Sequence, residues 1–180
     1  RSISIKWIRK SCDLNEYDFV ILPGSKQTIR DKMFLEESGI SKDLKDYSAN
    51  SGHIFGICGG MQILGTTLND PYFKEGSANN GVDIIEGIGL LPLKTKFNRK
   101  KITKRIKSES IWPCSSKING FEIHNGKTVL DRTQKDFRPN PIFKDANLGW
   151  YMENKKGGII AGTYIHGIFE NDIWRESYIN

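Results

Sequence analysis

Cys58 is the residue whose surroundings most strongly suggest a chemical role. It follows the apolar run His53–Ile57 and precedes Gly59 and Gly60, so the chain is predicted to turn sharply there from a strand into a helix. Such a turn exposes the side chain and leaves the next backbone N–H free to bind an oxyanion. The helix N-terminus favours a thiolate, which predicts a lowered pKa for the Cys58 thiol. The alternative is a small buried hydrophobic residue, because free cysteines are commonly buried.

His166 is the matching candidate for a general base. It ends the apolar run Gly157–His166, so it is expected at the same rim of a sheet as Cys58. A thiol nucleophile needs an imidazole within hydrogen-bond reach to take and return its proton. The alternative is a histidine whose hydrogen bonds are satisfied in the core. His53, Cys12 and Cys114 lie outside any motif and are predicted to take no part in chemistry.

Two strand–turn–helix units are predicted to position these residues. The first has a strand at Tyr17–Leu22, a turn at Pro23–Ser25 and a helix over Lys26–Glu37. The second has a strand at His53–Ile57 and a helix over Met61–Leu68. This alternation predicts an open parallel sheet flanked by helices, in which ligands bind at the carboxyl ends of the strands. The two glycine-containing turns then lie side by side if their strands are neighbours.

The other segments are predicted to add antiparallel strands to this α/β core. They are strands at Ile3–Ile8, Gly87–Phe97, Lys101–Lys107 and Asn119–His124, a loop over residues 70–83 and a helix over Asp172–Ile179. We expect the second and third of these to be two separate, antiparallel strands. The predicted fold class is therefore α/β, with an open, mostly parallel sheet flanked by helices and extra antiparallel strands.

Length and composition exclude several classes of protein. A chain of 180 residues with 37% hydrophobic residues suits one globular domain. No apolar run approaches the ~18 residues of a membrane helix, and the N-terminus lacks the features of a signal peptide. Three widely spaced cysteines without a CxxC motif or a Cys/His cluster indicate a reducing, cytoplasmic setting and predict no metal site.

The positive charge of the chain is concentrated in residues 94–107, which we call the basic segment. It holds eight of the basic residues and no acidic one, so the net charge of +6 would fall to −2 without it. A solvated face of two strands is one interpretation. A nucleic-acid patch is disfavoured, because the segment has a single aromatic residue and no recognition motif. The third interpretation is that the segment guides or docks an anionic partner by electrostatic attraction. We expect the segment to lie outside the site around Cys58.

Several segments, in chain order, resemble motifs of the class I, triad-type glutamine amidotransferases, and within that class the cobyric acid synthase branch of cobalamin biosynthesis. They are Leu22–Lys26, Gly56–Gly65, Asp70–Pro71, Gly87–Pro92 with Thr95 and Phe97, Gly120–His124, and Gly162–Phe169. The resemblance runs from about residue 17 to residue 175, nearly the whole chain. It implies the flavodoxin-like fold of that class.

The resemblance also implies roles for the residues at the two turns. Cys58 would attack the carboxamide of glutamine, giving a glutamyl thioester and ammonia, and water would then restore the thiol. His166 would act as general base and acid. The oxyanion hole would use the backbone N–H of Gly59 and that of Gly24 or its neighbour Ser25.

Three further residues are candidates for binding the substrate. Gln62 matches the glutamine found four residues after the nucleophile in this class, where it helps to hold the amino-acid end of the substrate. The alternative is an ordinary polar position on the helix. Glu122 and His124 occupy alternate positions of one predicted strand, so both face one side of it. They either line the rim of the active site or form a structural hydrogen-bonded pair.

The sequence departs from the wider class at the residue that normally orients the histidine. Most triad amidotransferases have Glu two residues after the histidine, whereas this chain has Ile168 there, as the cobyric acid synthase branch does. Another carboxylate must then orient the imidazole, and Glu170, Glu75 and Glu122 are the candidates. A weak orienting group is expected to keep glutaminase activity low until a partner domain aligns the site.

The resemblance covers only the glutaminase half of a cobyric acid synthase. No GxxxxGK[ST] phosphate-binding motif occurs in residues 1–180, so we expect the chain to be one domain of a longer protein with an N-terminal ATP-dependent synthetase. The implied partners are glutamine, that synthetase in cis and the corrinoid acceptor adenosylcobyrinic acid a,c-diamide, with neither nucleic acid nor membrane. This domain would need no cofactor, whereas the synthetase would use ATP and Mg²⁺.

Three other functions stay open at the level of sequence. One is a glutaminase subunit of a related ligase that amidates peptidoglycan precursors. Another is a degenerate amidotransferase-like module that only binds a partner or a small amide. A cysteine hydrolase of the DJ-1/PfpI type ranks last, because it shares the turn after the strand but not the segments around Glu122 and His166.

Overall fold

A computed structural model describes residues 3–73, 75, 83–134 and 138–179 of the chain. The loop predicted over residues 70–83 lies largely outside these ranges. The strands are β1 (Phe19–Leu22), β2 (His53–Ile57), β3 (Thr67–Asn69), β4 (Ile84–Glu86), β5 (Leu93–Ser110), β6 (Ser116–Leu130), β7 (Asn140–Pro141), β8 (Gly149–Glu153), β9 (Ile159–Thr163) and β10 (Ile165–His166). The α-helices are α1 (Thr28–Glu37), α2 (Ile40–Ala49), α3 (Gly59–Leu64) and α4 (Asp172–Ile179).

The first sheet has the order β1-β2-β9-β8-β7. Strands β1, β2 and β9 are parallel, and β8 and β7 extend the sheet in antiparallel pairing. Strand β2 is buried along its middle, as expected for a parallel strand covered on both faces. The predicted α/β class is therefore confirmed, and the carboxyl ends of β1, β2 and β9 meet at one edge.

The second sheet has the order β10-β6-β5-β3-β4 and is dominated by the long antiparallel pair β5–β6. The prediction of two antiparallel strands at Gly87–Phe97 and Lys101–Lys107 is wrong. Residues 93–97 and 101–107 belong to the same strand, β5, and their partner is β6. The interruption between them, which had indicated two strands, is a bulge where the register shifts between Lys96 and Lys101.

This bulge places residues 97–100 of β5 opposite Gly126 alone. Phe97 points inward and is 1% exposed, against Ile29 and Leu68. Gly126 has a φ of 86°, and a Cβ built on it would lie 2.6 Å from the carbonyl oxygen of Lys96. The bulge is therefore anchored on both strands, by an aromatic side chain on one and by glycine on the other.

The core lies on both faces of the first sheet. On one face the helices α2 and α3 pack with buried residues such as Leu44, Ile54 and Leu64. On the other, Phe55 of β2 contacts Trp174 of α4, with ring centroids 5.7 Å apart in edge-to-face geometry. Burial on both faces fixes the direction of β2 and hence the position of the residue that follows it.

Two other predicted elements also differ from the structure. Residues 3–8 form no strand: Ile5 and Trp7 are 78% and 77% exposed, so the alternation of apolar residues is not used to build a buried face here. The helix predicted over Met61–Leu68 ends at Leu64, because the chain then enters β3, which pairs with β4 and β5. The terminal helix occupies Asp172–Ile179, as predicted.

Candidate active site

Cys58 lies between β2 and α3 with an unusual backbone conformation. Its φ and ψ are 53° and −109°, which a non-glycine residue rarely adopts. The chain can turn this tightly because glycine stands on each side. A Cβ on Gly56 would lie 2.5 Å from the Met61 nitrogen, and one on Gly60 would lie 2.1 Å from the Leu22 oxygen. The predicted sharp turn from a strand into a helix is therefore confirmed, and its geometry is the one that exposes a nucleophile in other enzymes.

The structure brings the turns after β1 and β2 together with His166. A Cβ on Gly24 would lie 3.2 Å from the His166 Cε1 atom and 3.8 Å from the Cys58 Cβ. A Cβ on Gly59 would lie 2.8 Å from the Ser25 Cβ and 2.9 Å from the Ser25 nitrogen. All five residues predicted for the nucleophile, base and oxyanion hole therefore converge at one edge of the first sheet.

The thiol and the imidazole share one hydrogen-bond acceptor. The backbone carbonyl oxygen of Ile123, on β6, lies 3.2 Å from the Cys58 Sγ and 3.3 Å from the His166 Nε2. The thiol donates its proton to this oxygen. In this state the main chain of the second sheet therefore holds both reacting groups next to each other, with the thiol protonated.

Burial raises the pKa of the Cys58 thiol from 9.0 to about 11. The backbone N–H of Gly59 and the charge of Lys101 act to lower that pKa, and the charge of Glu75 acts to raise it. The predicted lowering of the pKa by the helix N-terminus is therefore wrong for this state. The sulfur is too far from solvent for one short helix to compensate the cost of a buried thiolate.

Gln62 lies 2% exposed behind the nucleophile turn, with its amide fully engaged. Its Nε2 donates to the Asn125 carbonyl oxygen at 3.0 Å and to the Tyr164 hydroxyl at 3.1 Å. Its Oε1 accepts from the Thr28 hydroxyl at 3.4 Å. The Tyr164 hydroxyl also bonds to Thr128. Gln62 thus joins α3 to α1, to β6 and to the segment before β10.

Glu122 and His124 face inward from β6 and are 6% and 5% exposed. The His124 Nε2 lies 2.8 Å from the Glu122 Oε1, and Lys104 of β5 lies 2.8 Å from the Glu122 Oε2. The His124 ring stacks on the Tyr164 ring, with centroids 3.5 Å apart. The two residues therefore form a hydrogen-bonded pair, and the Tyr164 side chain lies between this pair and Gln62.

None of the three candidate carboxylates is hydrogen-bonded to His166 in the described part of the chain. Glu122 is bonded to His124, and Glu75 accepts from the Thr28 N–H and the Asn125 side chain. Glu170 lies beside the backbone of the glycine that follows His166. Ile168 is 1% exposed in an apolar cluster, so a glutamate there would be buried among hydrophobic residues.

The basic segment is closer to the site than predicted. Lys104 pairs with Glu122, and the charge of Lys101 acts on the Cys58 thiol. The expectation that the segment lies wholly outside the site is therefore wrong. The bulge is the reason, because it resets the register of β5 so that Lys101 stands opposite Asn125. Elsewhere in the segment, Lys94 pairs with Asp131 at 3.0 Å.

Sequence reasoning did not identify several groups of the site. The Ile123 carbonyl belongs to the main chain and has no residue-type signature. Tyr164 lies inside the motif Gly162–Phe169 and Asn125 directly follows the motif Gly120–His124, so both could have been suspected from their position alone. Thr28 carried no signal.

Two kinds of feature are absent from the described residues. No group of three or more His, Cys, Asp and Glu side chains there could hold a metal ion. No helix among the same residues is long and apolar enough to cross a membrane.

Proteins of known sequence resemble this chain over nearly its whole length. Residues 1–174 match the family described as CobB/CobQ-like glutamine amidotransferase domain. Cobyric acid synthases of Prochlorococcus marinus strains MIT 9301 and MIT 9312 are 70% and 68% identical over 99% of this chain. That of strain NATL2A is 44% identical over the same share. The chain covers 35% of each of these proteins, about a third of their length.

Solved structures support the same fold. A crystal structure of a glutamine amidotransferase superposes with a TM-score of 0.65 at 16% identity, over 98% of this chain and 85% of that one. The structure of PurLQS from Thermotoga maritima gives 0.56 at 18% identity, over 87% and 72%. At such identities the likeness concerns the fold, and the family rests on the sequence relatives. This chain belongs to the CobB/CobQ-like glutamine amidotransferase domain family.

Proposed function

We propose that this domain hydrolyses glutamine at Cys58 and supplies the ammonia for amidation of the side chains of a corrinoid, adenosylcobyrinic acid a,c-diamide, in cobalamin biosynthesis. The observation that carries the proposal is the convergence of Cys58, His166 and the turns at Gly24 and Gly59 at one sheet edge. The high identity to cobyric acid synthases supports the choice of acceptor.

The proposed reaction proceeds through a thioester. His166 takes the proton of the Cys58 thiol, and the sulfur forms a bond to the carboxamide carbon of glutamine. The oxyanion accepts hydrogen bonds from the backbone N–H of Gly59 and that of Gly24 or Ser25. The carbon–nitrogen bond then breaks, and His166 returns the proton to the departing ammonia. Water attacks the thioester with His166 as base, which releases glutamate and restores the thiol.

This mechanism requires the thiol to leave the Ile123 carbonyl. While that hydrogen bond exists and the pKa of the thiol stays near 11, little thiolate forms at neutral pH. Substrate binding or alignment by a second domain must therefore supply part of the activation. We assign Gln62, Glu122 and His124 to the wall that receives the amino-acid end of glutamine, since they form one connected layer behind the turn.

The remaining two thirds of the relatives' length supports a second domain in the same polypeptide. We propose that this is an N-terminal synthetase that activates the corrinoid carboxylates with ATP and Mg²⁺. The glutaminase domain itself uses neither. The proposed reaction belongs in the cytoplasm, and the three cysteines of this chain are free thiols, as a reducing compartment requires.

The separation of ammonia production from acceptor activation gives the test. In the natural full-length polypeptide, we expect Cys58→Ala to abolish glutamine-dependent amidation and to leave ammonia-dependent amidation unchanged. His166→Ala should behave in the same way, with glutaminase turnover lowered by ~10²-fold or more. Cys114→Ala, a change at a cysteine remote from the turn, is the matched control. Equal loss with both nitrogen donors would contradict the proposal.

A binding module without catalysis is the second candidate. It is favoured by the raised pKa of the thiol and because no carboxylate among the described residues is hydrogen-bonded to His166. The electrophilic glutamine analogue 6-diazo-5-oxo-norleucine distinguishes the two. Labelling of Cys58 in the full-length protein, detected by peptide mass spectrometry, supports the enzyme. An unlabelled Cys58 in a protein that still binds glutamine supports the module.

A further inference from the structure

The imidazole of His166 has a hydrogen-bond partner that can only accept a proton. Its Nε2 lies 3.3 Å from the backbone carbonyl oxygen of Ile123. A carbonyl oxygen has no proton to donate, so this contact is a hydrogen bond only if Nε2 carries the proton. In a neutral imidazole the other nitrogen then has a free lone pair. The partner of Nε2 therefore determines which ring nitrogen can act as a base, and that nitrogen is Nδ1.

The Ile123 carbonyl is available to the site because the chain changes sheets beside it. Strand β9 of the first sheet ends one residue before Tyr164, and β10 of the second sheet begins one residue after it. In the β10–β6 pair Ile165 stands opposite Glu122, so Tyr164 would be the next partner, opposite Ile123. The Tyr164 N–H instead donates to the Leu148 carbonyl at 2.9 Å. The pairing of β10 with β6 thus stops one residue before Ile123, whose oxygen is left to the two reacting groups.

Neighbouring side chains hold this carbonyl in place. Glu122 is paired with Lys104 of β5, and the His124 ring stacks on the Tyr164 ring. The peptide group between Glu122 and His124 cannot turn away without breaking the ion pair and the stacked rings. A fixed acceptor on the histidine is what the carboxylate of a catalytic triad provides. In the described part of the chain no carboxylate provides it to His166, whereas the Ile123 oxygen does.

The Nδ1 atom of His166 lies on the side of the ring where the proposed chemistry takes place. A Cβ on Gly24 would lie 3.8 Å from this Nδ1 and 3.8 Å from the Cys58 Cβ. Gly24 belongs to the turn that is a candidate for the oxyanion hole. Rotation of Cys58 about its Cα–Cβ bond, from Ile123 towards Gly24, would therefore carry the sulfur towards Nδ1. The same nitrogen then faces the amide group that leaves as ammonia.

We propose that the Ile123 carbonyl takes the positioning role of the triad carboxylate that this chain lacks at position 168, and that it fixes His166 as the Nε2–H tautomer with Nδ1 as the base. This inference rests on the proposed glutaminase function. Nδ1 accepts the thiol proton as the sulfur bonds to the carboxamide carbon, while Nε2–H stays on Ile123. Nδ1 returns that proton to the nitrogen as the carbon–nitrogen bond breaks. A carbonyl has no net charge, so it orients the ring but stabilises the imidazolium less than a carboxylate would.

Nuclear magnetic resonance reports the tautomer without requiring catalysis. The full-length polypeptide would carry ¹⁵N-labelled histidine, and the signals missing from His166→Gln would identify His166, with His53→Gln as the control for that assignment. In a long-range ¹H–¹⁵N correlation at neutral pH, we expect a protonated Nε2 and an unprotonated Nδ1. Cys58→Ala should keep this pattern, because the carbonyl and not the thiol sets the tautomer. A proton on Nδ1 in either protein would overturn the proposal.

A histidine methylated at Nδ1 tests the base directly. Introduced at position 166 of the full-length polypeptide through an expanded genetic code, it keeps Nε2 but removes the lone pair of Nδ1. We expect glutamine hydrolysis to fall ~10²-fold or more, to the level of His166→Ala, while ammonia-dependent amidation is retained. The same methylated residue at position 53 is the matched control and should leave both activities unchanged. Hydrolysis close to that of the unsubstituted protein would overturn the choice of Nδ1.

The two measurements together distinguish the remaining outcomes. Loss of hydrolysis on methylation combined with a proton on Nδ1 in the spectrum would mean that the methyl group acts by crowding, and it would overturn the proposal. The Nε2–H tautomer in an unsubstituted protein that hydrolyses no glutamine would reject the proposed function. It would retain the positioning of His166 by Ile123.

Discussion

The two sides of the candidate site are built in different ways. On the turn side, formed by residues 22–25 and 57–60, main-chain segments meet directly because glycines leave no side chain between them. On the hairpin side, formed by residues 122–128 of β6, buried polar side chains bond to one another and to Tyr164. The turn side requires glycines so that its backbone segments can approach each other, whereas the hairpin side is held together by contacts between side chains.

This difference predicts two kinds of response to substitution. A clash between backbone segments cannot be relieved by rotating a side chain, so a change on the turn side displaces the reacting groups themselves. A missing hydrogen bond on the hairpin side costs one interaction of a connected network. The Ile123 carbonyl is where the two sides meet, because it holds Cys58 and His166 from the hairpin.

The largest effect is expected from Gly60→Ala on the turn side. The new Cβ would lie 2.1 Å from the Leu22 carbonyl oxygen, so β1 and α3 must separate. We expect the free energy of unfolding to fall by about 1–3 kcal/mol, and glutaminase turnover to fall to the level of Cys58→Ala. Chemical denaturation and ammonia release would measure the two.

Gly89→Ala is the control for that substitution. Gly89 has a φ of 81° but no atom within 4 Å of its missing Cβ, so only backbone strain of about 1–2 kcal/mol applies. Comparable instability with retained activity is the expected result. If both variants kept full glutaminase activity, the close approach at Gly60 would not be what positions the nucleophile.

The second largest effect is expected in the reactivity of the Cys58 thiol, which bonds to the Ile123 carbonyl where the two sides meet. With the pKa of Cys58 raised from 9.0 to about 11, the thiolate fraction at neutral pH is ~100-fold lower than for an ordinary cysteine. The rate of alkylation by iodoacetamide should therefore keep rising from pH 7 to about pH 11. Mass spectrometry of the Cys58 peptide would follow it, with the denatured protein as reference.

The same pKa shift has a consequence for stability. The folded state favours the protonated thiol. The contribution of this thiol to the free energy of unfolding is therefore complete below pH 9 and is lost as the pH rises through about 11. The unsubstituted protein should lose stability over that interval relative to Cys58→Ala. An alkylation rate that levels off near pH 8 would mean that the thiol is not held as the structure has it.

The smallest effect is expected from Tyr164→Phe on the hairpin side. The change removes the hydroxyl shared by Gln62 and Thr128 but keeps the ring that stacks on His124. We expect a loss of about 1–2 kcal/mol in the free energy of unfolding and a small rise in KM for glutamine. Tyr72→Phe, at an exposed ring, is the control. A collapse of activity equal to that of Gly60→Ala would erase the distinction between the two sides.

The two sides also differ in how far the sequence predicts them. Cys58, Gly59 and the strand before them form a local pattern, and the parallel pairing of β1 and β2 follows from strand–turn–helix alternation. The position of Glu122 and His124 on one face was predictable from their spacing, but their link to Lys104 was not. That link depends on the pairing of β5 with β6. The pairing was not predicted, because the bulge resembles a turn and divided β5 into two predicted strands.

Two other features of the site could not be predicted from the types of the residues. The Ile123 oxygen is a main-chain atom, so nothing in the sequence marks it as the acceptor for Cys58 and His166. The pKa of the thiol depends on the balance between burial and nearby charges, which requires coordinates. The segment Ile3–Ile8 shows the opposite error, since its alternating pattern is present but is not paired as a strand.

The bulge opposite Gly126 has a consequence for how the length of this chain can vary among relatives. Inward-facing residues of β6 alternate with outward-facing ones, so a single inserted residue there would turn part of the set outward. Residues 97–100 already stand outside the ladder, and a change of length among the exposed ones disturbs no pairing. Insertions and deletions should therefore accumulate at the bulge, while the spacing from Glu122 to Thr128 stays constant over evolutionary time.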